Sequence, residues 1–225
     1  GMIAPDMATM LSFIFTDATI PAPVLQKLLV RATSRSFNSI TVDSDTSTSD
    51  TVLLCATGKG EPHRKVCSSS DRHLRDFRKK LEDLMQELAR QIVRDGEGAS
   101  KFVTIQISGG ASEKAARRIG LAVANSPLVK TAIAGGDANW GRVVMAVGKT
   151  GEKVDRDLLS ISMGGIPIAR KGEIIKGYDE KPVTAHLKGR EIMLEIDVGV
   201  GRGCATVWTC DLTHDYITIN ADYRS

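Results

Sequence analysis

The chain has 225 residues, of which 42% are hydrophobic and 25% charged, so intrinsic disorder is excluded as its main state. Its net charge of +3, from 30 basic and 27 acidic residues, is too small and too mixed to indicate nucleic-acid binding. No segment has the roughly 18 consecutive apolar residues of a membrane-spanning helix. The first residues lack the pattern of a secretion signal, which favours the cytoplasm or an organelle matrix.

The first half of the chain alternates between strand and helix patterns. Apolar runs predict strands over 10–17, 39–43 and 51–56, and Pro23 suits the first turn of a helix over 23–35. The longest helix is predicted over 70–94, with Ser70 as its cap. Its apolar stripe is expected to contain Leu74, Phe77, Leu81, Leu84, Leu88 and Ile92.

The second half is expected to be richer in strands. A half-buried strand over 102–108 precedes a helix over 112–125 with Ser112 as its cap, and 132–142 reads as a strand followed by a loop. Residues 142–148 fit either a short helix or a strand. Further strands are predicted over 158–163, 166–169, 183–187, 190–197, 204–209 and 215–220. This order predicts a single α/β domain with a mixed sheet.

Most local motifs have a structural interpretation. The four cysteines form no CxxC pair and have no histidine cluster nearby, so we expect no metal site and free, mostly buried thiols. The polar segment 45–50 could ligate a hard cation, but a loop that satisfies its own backbone is favoured. The glycines at 199, 201 and 203 indicate a tight turn, because they lack the spacing of a nucleotide fingerprint.

One segment suggests nucleophilic chemistry. An apolar strand begins directly after Thr9, and the residue before it is the small Ala8. A threonine hydroxyl is a weak nucleophile, but the α-amine of an N-terminal threonine can act as its base. Self-cleavage would create that amine if the Thr9 hydroxyl attacked the Ala8 carbonyl and water released the resulting ester. The dipeptide is common, so the spacing alone is a weak indication.

Residues 1–11 resemble the cleavage-site motif of the ornithine acetyltransferase family, also called bifunctional glutamate N-acetyltransferase. Four further blocks resemble the family in the same order along the chain: 43–51, 95–101, 135–142 and 215–225. The resemblance implies a mixed-sheet, layered α/β fold of the ornithine acetyltransferase and β-aminopeptidase type. It also implies that residues 1–8 end an α chain and that 9–225 form the β chain, a single α/β domain.

The resemblance implies an activity in arginine biosynthesis. Thr9 would be both the self-cleavage residue and the nucleophile that carries an acetyl group from N-acetylornithine to glutamate. Glu97, Asn220 and Ser225 would bind substrate with Thr9; otherwise Glu97 is an acid at a helix end and Asn220 a cap. Asp137 and Asn139 are interpreted as caps around Trp140.

The family implies no metal and no resident cofactor, although some members also use acetyl-CoA as donor. It implies a cytoplasmic, self-processing, multifunctional enzyme whose α and β chains pair as a heterodimer and assemble further as α2β2. The oxyanion-stabilising residues are expected in the α chain. Two alternatives stay open: an aminopeptidase or amidohydrolase on the same scaffold, and an inactive half without its α chain.

Overall fold

The computed structural model describes residues 10–47 and 49–222. Contacts between residues divide them into two compact units. One unit contains residues 39–45 and 92–222, and the other contains residues 10–38 and 46–91 apart from residue 48. The predicted boundary at residues 8 and 9 lies outside the described residues, and the single-domain assignment stays a prediction.

The larger unit is built on a six-stranded mixed sheet with the order β6-β5-β4-β7-β3-β8. β3 pairs in parallel with β7 and antiparallel with β8, and the other neighbours are antiparallel. The strands are β3 (Phe102–Gly110), β4 (Ser160–Met163), β5 (Ile166–Arg170), β6 (Glu173–Ile174), β7 (Glu191–Asp197) and β8 (Gly203–Cys210). Strand β3, which lies between β7 and the edge strand β8, is therefore paired with segments that follow it by about ninety residues or more.

Helices cover one face of this sheet and form the main core with it. Val103, Ile105 and Ile107 alternate along β3 and are buried together with residues of α3 and α5. Alternation of this kind gives a strand one buried face, as the sequence predicts for β3. The helices of this unit are α3 (Glu113–Ala124), α4 (Pro127–Gly135), α5 (Trp140–Gly148), α6 (Lys181–Leu187) and α7 (His214–Asp222).

The smaller unit contains a two-stranded parallel sheet of β1 (Leu11–Thr16) and β2 (Thr51–Ala56). It also contains α1 (Ala22–Ser34) and most of α2 (Arg75–Arg94). Val24, Leu28 and Ala32 form the buried stripe of α1, and its residue Arg31 pairs with Glu82 of α2 at 2.8 Å. The bounds of β1, β2 and α1 agree with the sequence-based predictions to within two residues.

Four predicted strands are wrong. Residues 132–135, 183–187 and 215–220 lie in helices α4, α6 and α7, and Gly136 caps the end of α4. A proline in the first turn of α4 and of α6 favours helix initiation there. Residues 39–43 contain a single bridge residue, Ile40, after a 3-10 turn (Phe37–Ser39). In the segments 39–43, 183–187 and 215–220, β-branched residues favour a strand that the surrounding structure does not form.

The start and the buried stripe of α2 also differ from the prediction. Asp71, not Ser70, accepts a hydrogen bond from the backbone of His73 and caps a 3-10 turn (Arg72–Leu74) that leads into the helix. Leu84 is exposed, and the fully buried positions in the second half of the helix are Met85, Ala89 and Val93. Leu74 and Leu81 are buried as predicted, and the predicted stripe lies one residue away from the observed one only in the second half of the helix.

The thiols are free, but the expectation that most are buried is wrong. Cys55, Cys67 and Cys204 are exposed, and Cys210 alone is buried. Two of the exposed thiols lie on strands, Cys55 on β2 and Cys204 on β8. Strands that open one face to solvent leave such small apolar residues uncovered.

Candidate active site

The turn that follows α2 carries Glu97. Backbone bonds from Gly96 to the Val93 carbonyl at 3.2 Å and from Ala99 to the Gly96 carbonyl at 3.0 Å close this turn. Glu97 is half-buried, and its Oε2 atom is shielded from solvent. A carboxylate in such a partly dry position interacts more strongly with a cation than a fully exposed one does.

Gly98 holds this turn against the start of α7. Its φ is +67°, and a Cβ there would lie 2.4 Å from the Tyr216 backbone nitrogen and 2.7 Å from the Asp215 carbonyl carbon. Only glycine permits both the left-handed conformation and this close approach. The Thr213 hydroxyl also donates to the Gly98 carbonyl at 2.7 Å. The structure therefore brings the turn of Glu97 against the helix that carries Asn220.

The sequence predicts a strand over 215–220 that ends at Asn220, but this residue lies on helix α7. Its side chain is exposed, and its Nδ2 donates to the Tyr216 carbonyl one turn earlier, at 2.9 Å. The Tyr216 hydroxyl in turn donates to Oδ2 of Asp43 at 3.0 Å. Burial, with this hydrogen bond and the Asp43 charge, raises the pKa of Tyr216 to about 12. Tyr216 thus links α7 to the 39–45 segment in the same unit.

Asp211 anchors the segment that follows the Glu97 turn. Its side chain is 2% exposed, and Oδ1 accepts from the backbone nitrogens of Ser100 and Lys101, both at 2.9 Å. Oδ2 accepts from the Ser100 hydroxyl at 2.5 Å. Asp211 was not among the predicted site residues, although an acid directly after the apolar strand β8 is a local signal of such a role.

Two lysines form hydrogen bonds at the ends of the neighbouring elements β8 and α4. Lys130 of α4 is buried, and its Nζ donates to the Thr209 hydroxyl at 2.9 Å and to the Cys210 carbonyl. Burial lowers the pKa of Lys130, against the opposing influence of Cys210, Asp211 and Asp43. Lys101 donates to the carbonyls of Ile133 and Ala134 at the end of α4. The Lys130 bonds hold the end of β8 just before Asp211, and the Lys101 bonds hold the segment after the Glu97 turn against the end of α4.

Within the 135–142 block, the predicted cap at Asn139 is confirmed. Asn139 caps α5 by accepting a hydrogen bond from the backbone of Arg142 at 3.2 Å, and it donates to Asp137 at 3.2 Å. The polar loop likewise satisfies its own backbone, since Asp43 accepts from the Asp45 nitrogen at 3.0 Å. Side chains engaged in this way stabilise local turns.

The other two predicted site residues, Thr9 and Ser225, lie outside the described residues, as does Ala8. Of the four predicted site residues, the structure therefore describes only Glu97 and Asn220, and it places the turn of Glu97 in contact with the helix of Asn220. Within residues 10–47 and 49–222, no three His, Cys, Asp or Glu side chains lie close enough together to hold a metal ion. No helix in the same ranges is long and apolar enough to cross a bilayer.

The architecture matches a solved structure closely. The crystal structure of the arginine biosynthesis bifunctional protein ArgJ from Bacillus halodurans superposes with a TM-score of 0.90 at 40% identity, covering 96% of this chain and 100% of that one. The expected class, a mixed-sheet α/β fold of the ornithine acetyltransferase type, is therefore confirmed.

Sequence similarity identifies the same family. The ArgJ family model matches residues 1–225, and the chain belongs to this family, that of ornithine acetyltransferase. It is 58% identical over its whole length to the arginine biosynthesis bifunctional proteins ArgJ of Zymomonas mobilis and Mesorhizobium japonicum. It spans 55% of the length of each of these relatives.

Proposed function

We propose that this chain, together with the remainder of the family's longer polypeptide, transfers an acetyl group from N-acetylornithine to glutamate. The observation that carries the proposal is the arrangement of the 95–101 and 215–222 segments in a member of the ArgJ family. Gly98 packs against Tyr216, so a half-buried carboxylate lies on the turn that contacts the helix of Asn220.

Self-cleavage would generate the nucleophile. The Thr9 hydroxyl attacks the Ala8 carbonyl, the C–N bond breaks, and the acyl group moves to the threonine oxygen as an ester. Water hydrolyses this ester and leaves a carboxylate on Ala8 and a free α-amine on Thr9. That amine then acts as the base for the Thr9 hydroxyl, which solves the problem of a weak nucleophile.

Acetyl transfer would follow in two steps. The Thr9 oxygen attacks the acetyl carbonyl of N-acetylornithine, and ornithine leaves with the proton that the Thr9 amine took from the hydroxyl. The α-amine of glutamate then attacks the acetyl ester, which yields N-acetylglutamate and restores the hydroxyl. Some members' use of acetyl-CoA suggests it as a second donor to Thr9, and no resident cofactor is proposed.

Substrate binding would use the remaining predicted residues. The Glu97 carboxylate suits the side-chain ammonium of ornithine, since a charge-assisted hydrogen bond is stronger than a neutral one. Asn220 and Ser225 offer a neutral amide and a hydroxyl to the amino-acid head group. The oxyanion-stabilising groups and the α chain would come from the remainder of the polypeptide, in an α2β2 assembly in the cytoplasm.

The test is intact-mass analysis of the full-length protein, followed by an acetyl-transfer assay. A species that begins at Thr9 and forms N-acetylglutamate without accumulating free acetate supports the proposal. Thr9→Ala should leave the chain uncut and inactive, whereas Thr9→Ser should keep both reactions, since serine retains the hydroxyl. Free acetate as the main product would identify a hydrolase instead. An intact Ala8–Thr9 bond in the wild-type protein would refute the mechanism.

A further inference from the structure

A cavity of about 330 Å³ lies where the last residue of α2 meets the first residues of β3 and β7. It is called the α2–β7 cavity below, and residues 94, 99–102 and 190–191 of the larger unit line it. Neither Glu97 nor Asn220 belongs to this lining, so the cavity is separate from the candidate active site. Its volume is at the lower end of the range of small-molecule pockets.

The lining of the cavity is strongly basic. Arg94, Lys101 and Arg190 are its three cations and Glu191 is its one acid, which gives a net charge of +2. A concave surface of one sign concentrates counter-ions of the opposite sign. The cavity therefore repels the ammonium groups of ornithine and favours an anion.

The single acid of the cavity is already engaged. Nη2 of Arg94 donates to both carboxylate oxygens of Glu191 at 3.1 Å. The guanidinium carbon of Arg94 also lies 4.0 Å from the centre of the Phe102 ring, in cation–π geometry. These contacts hold Arg94 as a fixed wall, and they leave Glu191 poorly placed to accept the ammonium group of a ligand.

Lys101 and Arg190 supply the charge that no acid offsets. Nζ of Lys101 is held in place by the carbonyls of Ile133 and Ala134, at 2.6 and 3.1 Å. The Phe102 nitrogen donates to the Arg190 carbonyl at 2.8 Å, which fixes the backbone of Arg190 beside the start of β3. Among the residues that the structure describes, neither Lys101 nor Arg190 forms an ion pair with a carboxylate.

The wall that carries Lys101 is also preorganised. The buried Asp211 carboxylate accepts from the backbone nitrogens of Ser100 and Lys101, both at 2.9 Å. A backbone fixed in this way loses little conformational entropy when a ligand binds. The cavity therefore has the rigidity expected of a binding site.

The chemistry of the lining favours a phosphate over an amino acid. A phosphate ester carries a charge of about −1.5 to −2 at pH 7 and has three strong acceptor oxygens. An arginine fork together with a lysine point charge suits such a group. An amino acid would bring an ammonium group next to the same cations, and Glu191 is already held by Arg94.

We infer that the α2–β7 cavity binds a phosphate-bearing anion through Arg190 and Lys101. This binding is additional to the proposed acetyl transfer and does not depend on it. The phosphate can belong to coenzyme A or to a free inorganic phosphate. These two sources share the recognised group and are distinguished by the experiment.

The test is calorimetric titration of the full-length protein with inorganic pyrophosphate at constant ionic strength. Arg190→Gln should raise the Kd at least about 10-fold, since it removes a charge-assisted hydrogen bond. The matched control is Arg170→Gln, at the exposed end of β5, which should leave the Kd unchanged. A Kd in Arg190→Gln within about twofold of wild type overturns the inference, as does no measurable binding at about 10 mM pyrophosphate.

Hydrogen exchange locates the ligand independently of the variants. Saturating pyrophosphate should slow exchange in peptides that cover residues 99–102 and 190–191, and it should leave residues 166–170 unchanged. Slower exchange confined to other segments would place the anion elsewhere and refute the assignment.

Three ligands define the recognised chemistry. Coenzyme A that binds at least about 10-fold more tightly than pyrophosphate identifies coenzyme A as the source, whereas similar affinities identify a site for free phosphate. Glutarate, a dicarboxylate without an ammonium group, should bind at least about 10-fold more weakly than pyrophosphate, and equal affinity would overturn the phosphate assignment. None of these measurements requires catalysis. A protein that binds pyrophosphate through Arg190 but transfers no acetyl group would count against the proposed function alone.

Discussion

Removal of the Asp211 carboxylate should lower the local stability of residues 100–101, which follow the Glu97 turn. Asp211→Ala leaves the backbone N–H groups of Ser100 and Lys101 and the Ser100 hydroxyl without their acceptor. A hydrogen bond to a charged group contributes about 1.5–3 kcal/mol, and water can replace part of this contribution at Ser100, which is exposed. We expect a net local loss of about 3 kcal/mol, less than the sum of three such bonds.

The assay is hydrogen exchange measured on peptides that cover residues 96–101. A local loss of about 3 kcal/mol corresponds to roughly 100-fold faster exchange of these amides. Asp211→Asn should cost about 1 kcal/mol, because its oxygen still accepts from the two backbone donors and its amide can donate to Ser100. Asp157→Ala, at an exposed turn, is the control and should leave exchange at 96–101 unchanged. The KM for N-acetylornithine should rise more than kcat falls, because the turn binds substrate in the proposed mechanism.

Two results would contradict this reasoning. Exchange at 96–101 in Asp211→Ala within about threefold of wild type would show that the carboxylate does not hold the segment. Equal damage from Asp211→Asn would show that the negative charge matters and not the acceptor geometry.

Three further predictions concern the same unit. Because the pKa of Tyr216 is raised from 10.0 to about 12, the folded protein loses stability as the pH rises from about 10 to 12. Urea unfolding across that range should show a smaller pH-dependent loss in Tyr216→Phe. Asn139→Ala should lower the free energy of unfolding by about 1 kcal/mol in the same assay, and Asn139→Ser, which keeps a capping oxygen, should restore most of it. Glu97→Gln should raise the KM for N-acetylornithine about 10-fold or more while kcat changes little. The control Glu173→Gln, on the exposed strand β6, should leave this KM unchanged. An unaltered KM in Glu97→Gln would remove Glu97 from the proposed site.

The sequence predicted best those elements whose signals are local. Ser112 caps α3 by accepting from the Ala115 nitrogen, as its position before an acidic first turn suggests. In contrast, Ile217 and Ile219 suggested a strand where α7 forms, and both are exposed on that helix. Their β-branched side chains favour a strand, whereas Thr213, through its bond to the Asp215 nitrogen, and the contacts of Tyr216 favour the helix.

The candidate site was predictable only through the family resemblance. Glu97 and Asn220 have no local motif that marks them as partners, since they are distant in sequence and only the turn and the helix that carry them are in contact, at Gly98 and Tyr216. An acid after β8 is visible in the sequence, but its partner Ser100 lies 111 residues earlier, so the contact itself could not be predicted. Contacts of that separation leave no periodic signal in the sequence.

The pairing of β3 sets the order in which this protein can assemble on the ribosome. Both of its neighbours, β7 and β8, and the Asp211 anchor follow it by roughly 80 to 110 residues. At synthesis rates of about 5–20 residues per second, this interval lasts on the order of 5–20 s. Through that time Val103, Ile105 and Ile107 have no sheet to join. The nascent β3 is therefore an expected client segment for a cotranslational chaperone, and the Glu97 turn becomes ordered only after Asp211 has been synthesised.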